Sequence, residues 1–258
     1  LSNISIKAIE SLRKIGIPNV VIDLMIGIEG QTIQSFEDSV KEAIEIRPET
    51  VELYALGLMP QTGLGRRLPT TLMNNEGIYR CYDIGRALFL GSGYKQDCHN
   101  RYAIPERGSF LQEDYVFQGM SLIGFGAGVR SYATNVHYRN TYDSSNGRKA
   151  ILGYIKNTKS GKHSVESGIF LDGEERMRQY VIGTLEKMNK DDFKRRFSIP
   201  FEEQFGQLYQ EIIDLDLAKD DGSVIQLTTK GLTFRDLIVK QFFSERAKQI
   251  EEAYRPRI

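Results

Sequence analysis

One acidic residue stands out because apolar residues surround it in the sequence. Asp23 interrupts the run Val20–Ile26, whose aliphatic residues are typical of a buried strand. Apolar residues alternate onto both sides of this strand, which predicts that both of its faces are covered, as in a parallel sheet or an α/β barrel. A carboxylate in such a strand needs a partner or a ligand. Asp23 is therefore expected either to pair with a buried arginine or backbone amides, or to face a ligand site at the carboxyl end of the strand.

The elements around Asp23 are predicted from hydrophobic periodicity. A first helix ends at Gly16, which occupies the position of a left-handed cap. Ser35 and Asp38 resemble a capping box at the start of a second helix, and Val51–Leu56 is the next predicted strand. A third helix spans about residues 75–89. This alternation of helices and strands predicts parallel strands joined by right-handed crossovers.

The stretch Ile22–Thr32 resembles a motif of a known enzyme family. The motif is the Asp-Leu-Ile-x-Gly-Leu-Pro-Gly-Gln-Thr stretch of oxygen-independent coproporphyrinogen III oxidase and its relatives among the radical S-adenosylmethionine (SAM) enzymes. Ile28-Glu29 replaces the usual Leu-Pro, which alters the turn but leaves the aspartate in place. The resemblance implies that Asp23 contacts SAM, because it matches the aspartate that does so in the family. A carboxylate suits hydrogen bonding to a ribose hydroxyl or balancing a cationic sulfonium.

A second candidate residue lies at the end of the next predicted strand. Ala55 leaves space there for the planar ring of a ligand, although an alanine in a strand is ordinarily a simple packing residue. The Tyr54-Ala55 pair matches a Tyr-Ala pair that lies beside SAM in the oxidase family. The resemblance therefore implies a cofactor contact at Ala55.

The glycine-rich segment Gly124–Tyr132 contains the third candidate. No strong helix follows its Gly-x-Gly-x-Gly pattern, so it lacks the context of a Rossmann motif. It resembles the segment with which the family's enzymes return to the cofactor pocket, where small residues let the backbone approach a ligand. Arg130 stands where the oxidase has an apolar residue near SAM. Arg130 could hold the methionyl carboxylate or a substrate acid group, or it could pair with a glutamate or aspartate in the core.

Cysteine and histidine residues give no complete metal site. The superfamily binds its [4Fe-4S] cluster with a tight loop of three cysteines, whereas this chain has only Cys81 and Cys98. Cys81 is expected to be a core residue of a helix, and the neighbours Cys98 and His99 have poor geometry for a nucleophile and its base. His137 and His163 have no companions at zinc-ligand spacing, so no metal site is predicted. We expect the cluster loop and the first barrel strands to lie upstream of Leu1.

Composition narrows the class of protein. Among 258 residues, 34 basic and 34 acidic side chains cancel, so no global charge favours nucleic acid or an anionic membrane. No apolar run approaches the ~20 residues of a membrane-spanning helix, and no signal peptide is visible. Two cysteines give no disulfide framework and fit a reducing cytosol. We therefore expect a cytoplasmic protein with a small-molecule substrate and without a nucleic-acid or membrane partner; the sequence does not indicate its oligomeric state.

The second half of the chain is predicted to differ from the first. Residues 94–142 are expected to be largely irregular, and the Lys/Gly/Ser-rich stretch 156–163 is a predicted linker. A helix over residues 174–188, capped by Asp172 and Glu175, is followed by a helix starting at Pro200 and by the strand 224–228. A closing helix spans residues 233–250. Helices with a small strand-turn unit suggest a winged-helix-like module.

The predicted fold class is α/β: a partial (β/α) barrel of radical SAM type, followed by a mainly helical, winged-helix-like C-terminal domain. Residues 1–93 are expected to be the C-terminal half of the barrel, residues 94–162 a barrel-closing segment and linker, and residues 163–258 the helical domain. The last resembles the C-terminal domain of coproporphyrinogen oxidase-like proteins, notably at Leu227–Gly231.

The resemblance implies a radical SAM oxidoreductase with SAM and a [4Fe-4S] cluster as cofactors. In that family the reduced cluster cleaves SAM to a 5′-deoxyadenosyl radical that abstracts hydrogen from a tetrapyrrole or another substrate. Catalytic residues are not indicated, and the chain is expected to be inactive alone because it cannot hold the cluster.

Two other functions remain open. One is a haem-binding chaperone of the same family, with Cys98, His99 or His137 as candidate axial ligands. The other is a winged-helix nucleic-acid binder, which is disfavoured because acidic residues on the helix that would approach DNA oppose phosphate contact. These residues are Glu202, Glu203, Glu211, Asp214 and Asp216.

Overall fold

The computed structural model describes residues 3–58, 63–67, 72–107, 120–143 and 146–254. The chain divides into two compact units. The first unit comprises residues 1–58 and 67–109, and the second comprises residues 59–66 and 110–258. These units differ from the three segments expected from the sequence, whose boundaries after residues 93 and 162 stay a prediction.

The first unit begins with alternating helices and strands, as predicted. They are α1 (Asn3–Lys14), β1 (Val21–Ile26), α2 (Ile33–Ile46) and β2 (Thr50–Ala55). A short helix, α3 (Gly63–Arg67), comes before α4 (Asn75–Gly91) in the chain. Strands β1 and β2 are parallel, which confirms the prediction, and Gly16 has the left-handed backbone expected of a cap (φ 84°).

Two further strands extend this sheet in a region that was predicted to be irregular. β3 (Lys95–Cys98) and β4 (Arg101–Ala103) form an antiparallel pair, and β4 pairs with β2 to give the order β1-β2-β4-β3. The prediction is wrong for these residues because the strands are short and β3 is polar. The pairing of β4 with β2 and of β3 with β4 comes from backbone hydrogen bonds that hydrophobic periodicity does not reveal.

The core of the first unit lies between one face of the sheet and the helices α2 and α4. Leu24, Ile26 and Leu53 pack there with Phe36 and Phe89. The opposite face is not covered, since Val21 is 50% exposed and Met25 43% exposed. The expectation that both faces of β1 are covered is therefore wrong for this structure.

The cap of α2 also differs from the prediction. Thr32 is the N-cap: its hydroxyl accepts a hydrogen bond from Ser35 N (3.1 Å), and the Ser35 hydroxyl accepts one from Thr32 N (3.0 Å). Asp38 instead accepts a bond from the Gln34 side chain (2.9 Å). The capping box thus begins one turn before the predicted Ser35–Asp38 pair, because a threonine and a serine can form it without a carboxylate.

The second unit contains an antiparallel sheet within residues 130–170. Its strands are β5 (Arg130–Ala133), β6 (Val136–Asn140) and β7 (Val165–Phe170), in that order. The helix α5 (Gly147–Lys159) lies between β6 and β7 in the chain. The sheet therefore continues across the predicted linker at residues 156–163, which forms the end of α5 and the connection to β7.

The rest of the second unit is mainly helical. Its helices are α6 (Gly173–Thr184), α7 (Lys190–Phe197), α8 (Phe201–Asp214), α9 (Thr229–Thr233), α10 (Arg235–Gln241) and α11 (Glu245–Tyr254). A small antiparallel sheet of order β8-β10-β9 accompanies them, with β8 (Lys187–Asn189), β9 (Ala218–Asp220) and β10 (Val224–Leu227). Helices with a strand-turn-strand unit agree with the predicted winged-helix-like arrangement.

Two predicted helices in this unit have different ends. Met188 is buried as expected, but it lies in β8 because the helix before it ends at Thr184. The single closing helix is two helices, α10 and α11. The Ser244 hydroxyl accepts a hydrogen bond from Ala247 N (3.1 Å), which is the contact that starts a new helix. Among the described residues, no helix is long and apolar enough to cross a membrane.

An aromatic cluster stabilises the core of the second unit. The Phe193 ring is fully buried, and its centroid lies 4.8 Å from that of Phe197 and 5.5 Å from that of Phe201. The ring centroids of Phe205 and Tyr180 lie 6.2 Å and 6.0 Å from that of Phe193, and these two rings complete the cluster. Phe193 therefore joins α7 to α6 and α8.

We expect Phe193→Ala to lower the free energy of unfolding by about 3–5 kcal/mol, because it leaves a cavity among these rings. Urea unfolding followed by circular dichroism measures this change. Phe170→Ala is the matched control, since Phe170 is 75% exposed and its loss should change stability by less than about 0.5 kcal/mol. Equal effects of the two substitutions would contradict the assignment of Phe193 to the core.

Candidate ligand-binding site

The turn after β1 fixes the end of the strand that carries Asp23. Gly27 and Gly30 have left-handed backbones (φ 88° and 78°), which glycine adopts without strain. The Gln31 side chain accepts a hydrogen bond from Gly27 N (2.7 Å) and donates one to Met25 O (3.1 Å). Gln31 thus links the turn to the strand. Sequence reasoning missed this role although Gln31 stands in the motif, because the motif does not show which backbone groups its side chain reaches.

Asp23 lies on the uncovered face of the sheet. It sits directly opposite Glu52 on β2, and burial together with the Glu52 charge raises the pKa of its carboxyl group. Asp23 makes no hydrogen bond or ion pair with another residue that the structure describes. The alternative in which Asp23 pairs with a buried arginine is therefore not observed, and its carboxylate is available to a ligand.

Glu52, Tyr54 and Arg101 continue this face of the sheet. The Tyr54 hydroxyl donates a hydrogen bond to the Glu52 carboxylate, and burial followed by this bond raises the pKa of Tyr54 far above its usual value. Arg101 lies opposite Glu52 on β4, and its Nε donates to Asp97 Oδ1 (2.7 Å). Alternation along residues 51–56 indicates that Glu52 and Tyr54 share one side, but only the register shows that this is the side of Asp23.

Ala55 lies on the other face of the same sheet. It is the last residue of β2 and is opposite Ile26, two register positions beyond the Leu24–Leu53 pair. Its side chain is exposed. Asp23 and Ala55 therefore lie on neighbouring strands but not on one face, and a ligand that touches both must reach around the carboxyl end of the sheet. The roles of both residues stay predictions.

The glycine-rich segment of the second unit folds against itself. A Cβ at Gly124 would lie 2.0 Å from Val129 Cγ1 and 2.6 Å from Arg130 O, so only glycine fits. The buried Asn140 side chain donates to the carbonyl oxygens of Gly124 (3.3 Å) and Gly126 (3.0 Å). Packing within the segment thus accounts for the first glycine without any ligand.

Arg130 follows this segment at the start of β5. Its side chain is exposed, and it lies directly opposite Arg139 on β6. Arg130 makes no ion pair with the residues that the structure describes, so the alternative in which it pairs with a core glutamate or aspartate is not observed. Its predicted contact with a ligand acid group stays a prediction.

The cysteines and His137 have partners within their own units. Cys81 is fully buried in the core, as expected, and its thiol lies 3.6 Å from Met73 Sδ. The Cys98 thiol donates to Asn100 Oδ1 (3.1 Å). His137 Nε2 lies 3.1 Å from the side-chain nitrogen of Gln179, and burial lowers the pKa of the imidazole. A donor at Gln179 requires a neutral His137 that accepts through Nε2.

Comparison with known proteins shows which proteins the chain resembles. No family model matches the chain. The heme chaperone HemW of Lactococcus lactis is 24% identical over 91% of this chain and 61% of its own length. The oxygen-independent coproporphyrinogen III oxidase of Pseudomonas aeruginosa is 24% identical over 87% of this chain and 50% of its own length. The structure of coproporphyrinogen III oxidase (HemN) from Escherichia coli, described as a radical SAM enzyme, matches 92% of this chain with a TM-score of 0.74 and 19% identity.

The chain is thus similar over most of its length to a heme chaperone HemW and to an oxygen-independent coproporphyrinogen III oxidase. This similarity confirms the resemblance expected from Ile22–Thr32, and the structural match confirms the predicted fold class. The chain covers 58% of the matched HemN structure and 50–61% of the two curated relatives. Because those relatives are a chaperone and an oxidase by name, the similarity leaves the activity of this chain open.

The raised pKa of Asp23 predicts a pH-dependent cost to stability. A carboxyl group with a higher pKa in the folded state ionises less readily there, so stability falls as pH rises from the ordinary value of 3.8 through the raised pKa. We expect Asp23→Asn to raise the free energy of unfolding at pH 7, with no gain below about pH 3, where both states are protonated.

Urea unfolding at several pH values checks this expectation. Asp38→Asn, an exposed aspartate on α2, controls for the loss of one negative charge. A gain that persisted at pH 3 would show that it does not come from ionisation of Asp23, and a loss of stability at pH 7 would show that the surroundings stabilise the carboxylate.

Proposed function

We propose that this chain provides SAM-binding residues of a radical SAM oxidoreductase that acts on a tetrapyrrole or another small molecule. The proposal depends on Asp23. Its carboxylate lies on the uncovered face of β1, has no partner among the described residues, and belongs to the stretch that resembles the family's SAM-contacting motif.

The electrostatics of Asp23 fit a ligand that donates hydrogen bonds or carries a positive charge. Burial and Glu52 destabilise the ionised carboxylate, and they raise its pKa. A ribose hydroxyl would donate to the carboxylate, and a sulfonium would offset its charge; either contact favours the ionised form. Binding of SAM is therefore expected to lower the pKa of Asp23. Glu52 and Tyr54 lie on the same face of the sheet as Asp23 and would border the same side of the ligand.

The residues of this chain do not fit a [4Fe-4S] cluster. Such a cluster in this superfamily needs three thiolates on one face, and the sequence has two cysteines. Cys81 is buried in the core of the first unit, and Cys98 donates to Asn100. A cluster would need ligands from outside this sequence, so we assign no step of the reaction to it and expect this chain alone to bind SAM without cleaving it.

A haem chaperone is the second candidate function. It is favoured by the similarity to the heme chaperone HemW of Lactococcus lactis, which extends over 91% of this chain. Of the three axial ligands considered, His137 already uses Nε2 as an acceptor for Gln179. His99 and Cys98 follow one another at the end of β3, where Cys98 is half-buried. A chaperone would need one of these side chains to turn toward the iron.

SAM binding to the 258-residue chain tests the proposed function. We expect Asp23→Asn to weaken the affinity measured by isothermal titration calorimetry about tenfold, because it removes a charge-assisted hydrogen bond. Asp38→Asn, which keeps the bond from Gln34, should bind SAM as the unchanged chain does. If Asp23→Asn binds SAM with unchanged affinity, Asp23 is not the contact and the proposal fails.

Haem titration separates the two candidate functions. A chaperone is expected to bind haem with a shifted Soret band, and this shift should persist in Asp23→Asn because SAM is not its ligand. Absorbance spectroscopy with a Cys98→Ala and a His99→Ala variant shows which side chain ligates the iron. Haem binding by a chain that does not bind SAM would favour the chaperone, whereas SAM binding without a Soret shift would exclude it.

A further inference from the structure

Two arginines on neighbouring strands of the second unit lie directly opposite each other. Arg130 of β5 is in register with Arg139 of β6. The next pair along the ladder, Val129 and Asn140, is hydrogen-bonded, since Asn140 N donates to Val129 O (2.9 Å). Hydrogen-bonded and non-hydrogen-bonded pairs alternate in an antiparallel ladder, so the Arg130–Arg139 pair is of the second kind, in which side chains are closest. Their Cβ atoms are therefore expected about 4.5–5.5 Å apart.

Bonds on the other edge of β5 support this alternation. Tyr132 exchanges two backbone hydrogen bonds of 2.8 Å with Leu122. The backbone polar groups of Tyr132 therefore point away from β6, and the Tyr132–His137 pair is also non-hydrogen-bonded. The two rings pack edge to face with centroids 4.8 Å apart, as close side chains of such a pair should. Residues two apart on a strand share a face, so these rings lie beside the arginines.

The arginine pair has no ion-pair partner among the described residues. Like charges directly opposite each other destabilise a sheet. Neither Arg130 nor Arg139 makes an ion pair with a described acid, and residues 120–142 contain no aspartate or glutamate. Glu166 of β7 uses its carboxylate to accept a hydrogen bond from Tyr142 N. Glu166 keeps its charge, but it forms no ion pair with Arg130 or Arg139 in the part of the chain that the structure describes, so the two guanidinium groups can accept a further anion.

Arg139 is held in place while Arg130 is exposed. Arg139 Nε donates to Gly128 O (3.1 Å), and its guanidinium lies 3.4 Å from the centroid of the Tyr142 ring. These contacts orient the guanidinium and leave its terminal nitrogens without a bond to the described residues. A fixed and a movable guanidinium side by side can bind a carboxylate in a bidentate manner, which is the geometry for which arginine is suited.

We propose that Arg130 and Arg139 together bind a carboxylate of the small molecule that this protein handles. The proposal rests on the proposed function and assigns a ligand group to Arg130 and Arg139, both of which lie within the second unit. The carboxylate belongs either to an acid side chain of the substrate or to the methionyl part of SAM. The adjacent Tyr132 and His137 rings provide a flat surface against which the rest of a planar ligand can pack.

Two matched pairs of probes distinguish the two sources of the carboxylate. Mesoporphyrin IX carries two ionised propionates, whereas its dimethyl ester carries no ionised carboxylate. In the same way, SAM carries the methionyl carboxylate, whereas decarboxylated SAM lacks it. Binding to the full chain is measured by absorbance for the porphyrins and by calorimetry for the nucleosides. The variants are Arg130→Gln and Arg139→Gln, with Arg148→Gln, an exposed arginine on α5, as the control.

If the carboxylate is the substrate's, each arginine variant should weaken binding of the free porphyrin about tenfold and leave the ester and SAM unchanged. If the carboxylate is that of SAM, the arginine variants should weaken the binding of SAM about tenfold. The binding of decarboxylated SAM and of both porphyrins should be unchanged. The Arg148→Gln control should bind all probes normally. Unchanged binding of every probe, or equal weakening of the acid and ester forms, would overturn the proposal.

Thermal unfolding and the Asp23 variant complete the test. A binding role predicts that Arg130→Gln keeps or slightly raises the thermal midpoint of the ligand-free chain, because it removes a repulsion; a lower midpoint would assign Arg130 a structural role instead. If Asp23→Asn leaves SAM binding unchanged while the arginine variants weaken the porphyrin acid, the proposed function fails and the arginine site stands. The reverse result overturns the arginine site alone.

Discussion

The register of β1 against β2 is the constraint on which the first unit depends. Side chains alternate between the two faces of a strand, so a shift of one residue would move Asp23 into the layer beneath α2 and α4 and bring Leu24 to the surface. The apolar residues Leu24, Ile26 and Leu53 prevent this shift because they fill the core on one face. The position of Asp23 opposite Glu52 is thus a consequence of core packing, and the sheet tolerates the repulsion between the two acids.

A comparable conflict between stability and position occurs in the second unit. There Arg130 and Arg139 are opposite each other because Asn140 and the backbone of the glycine segment fix the ladder between β5 and β6. Each unit therefore presents a like-charge pair on adjacent strands. Such pairs lower the stability of the free protein, and a ligand of opposite charge or with suitable hydrogen-bond donors removes the cost when it binds. This makes the two pairs better candidates for binding than the apolar residues that surround them.

The parts of the fold that follow from hydrophobic periodicity could be predicted from the sequence. The β1 strand, the α2 face that carries Phe36 and Val40, and the parallel order of β1 and β2 belong to this class. The strand β3 could not be predicted, because Lys95–Cys98 has no apolar alternation and its pairing with the nearby β4 depends on backbone hydrogen bonds alone. Helical spacing predicts Met188 on a helix, whereas the helix ends four residues earlier, at Thr184. The spacing of apolar residues does not show where the helix ends.

The residues that share a face with Asp23 could not be predicted from the sequence, for a physical reason. A motif identifies Asp23, but it does not show which residues share its face, since that depends on pairing with β2 and β4. Glu52 has no place in the motif, yet it changes the electrostatics of Asp23 more directly than any motif residue. Arg139 likewise has no place in a motif. It lies nine positions from Arg130, and only the pairing of β5 with β6 shows that the two residues are opposite each other. The chain is similar both to a protein named as a chaperone and to one named as an oxidase, so the stretch that carries Asp23 does not separate these two functions. The Arg130–Arg139 pair is the feature that we propose distinguishes them, because its proposed ligand is a carboxylate and its position depends on the pairing of β5 with β6 rather than on the motif.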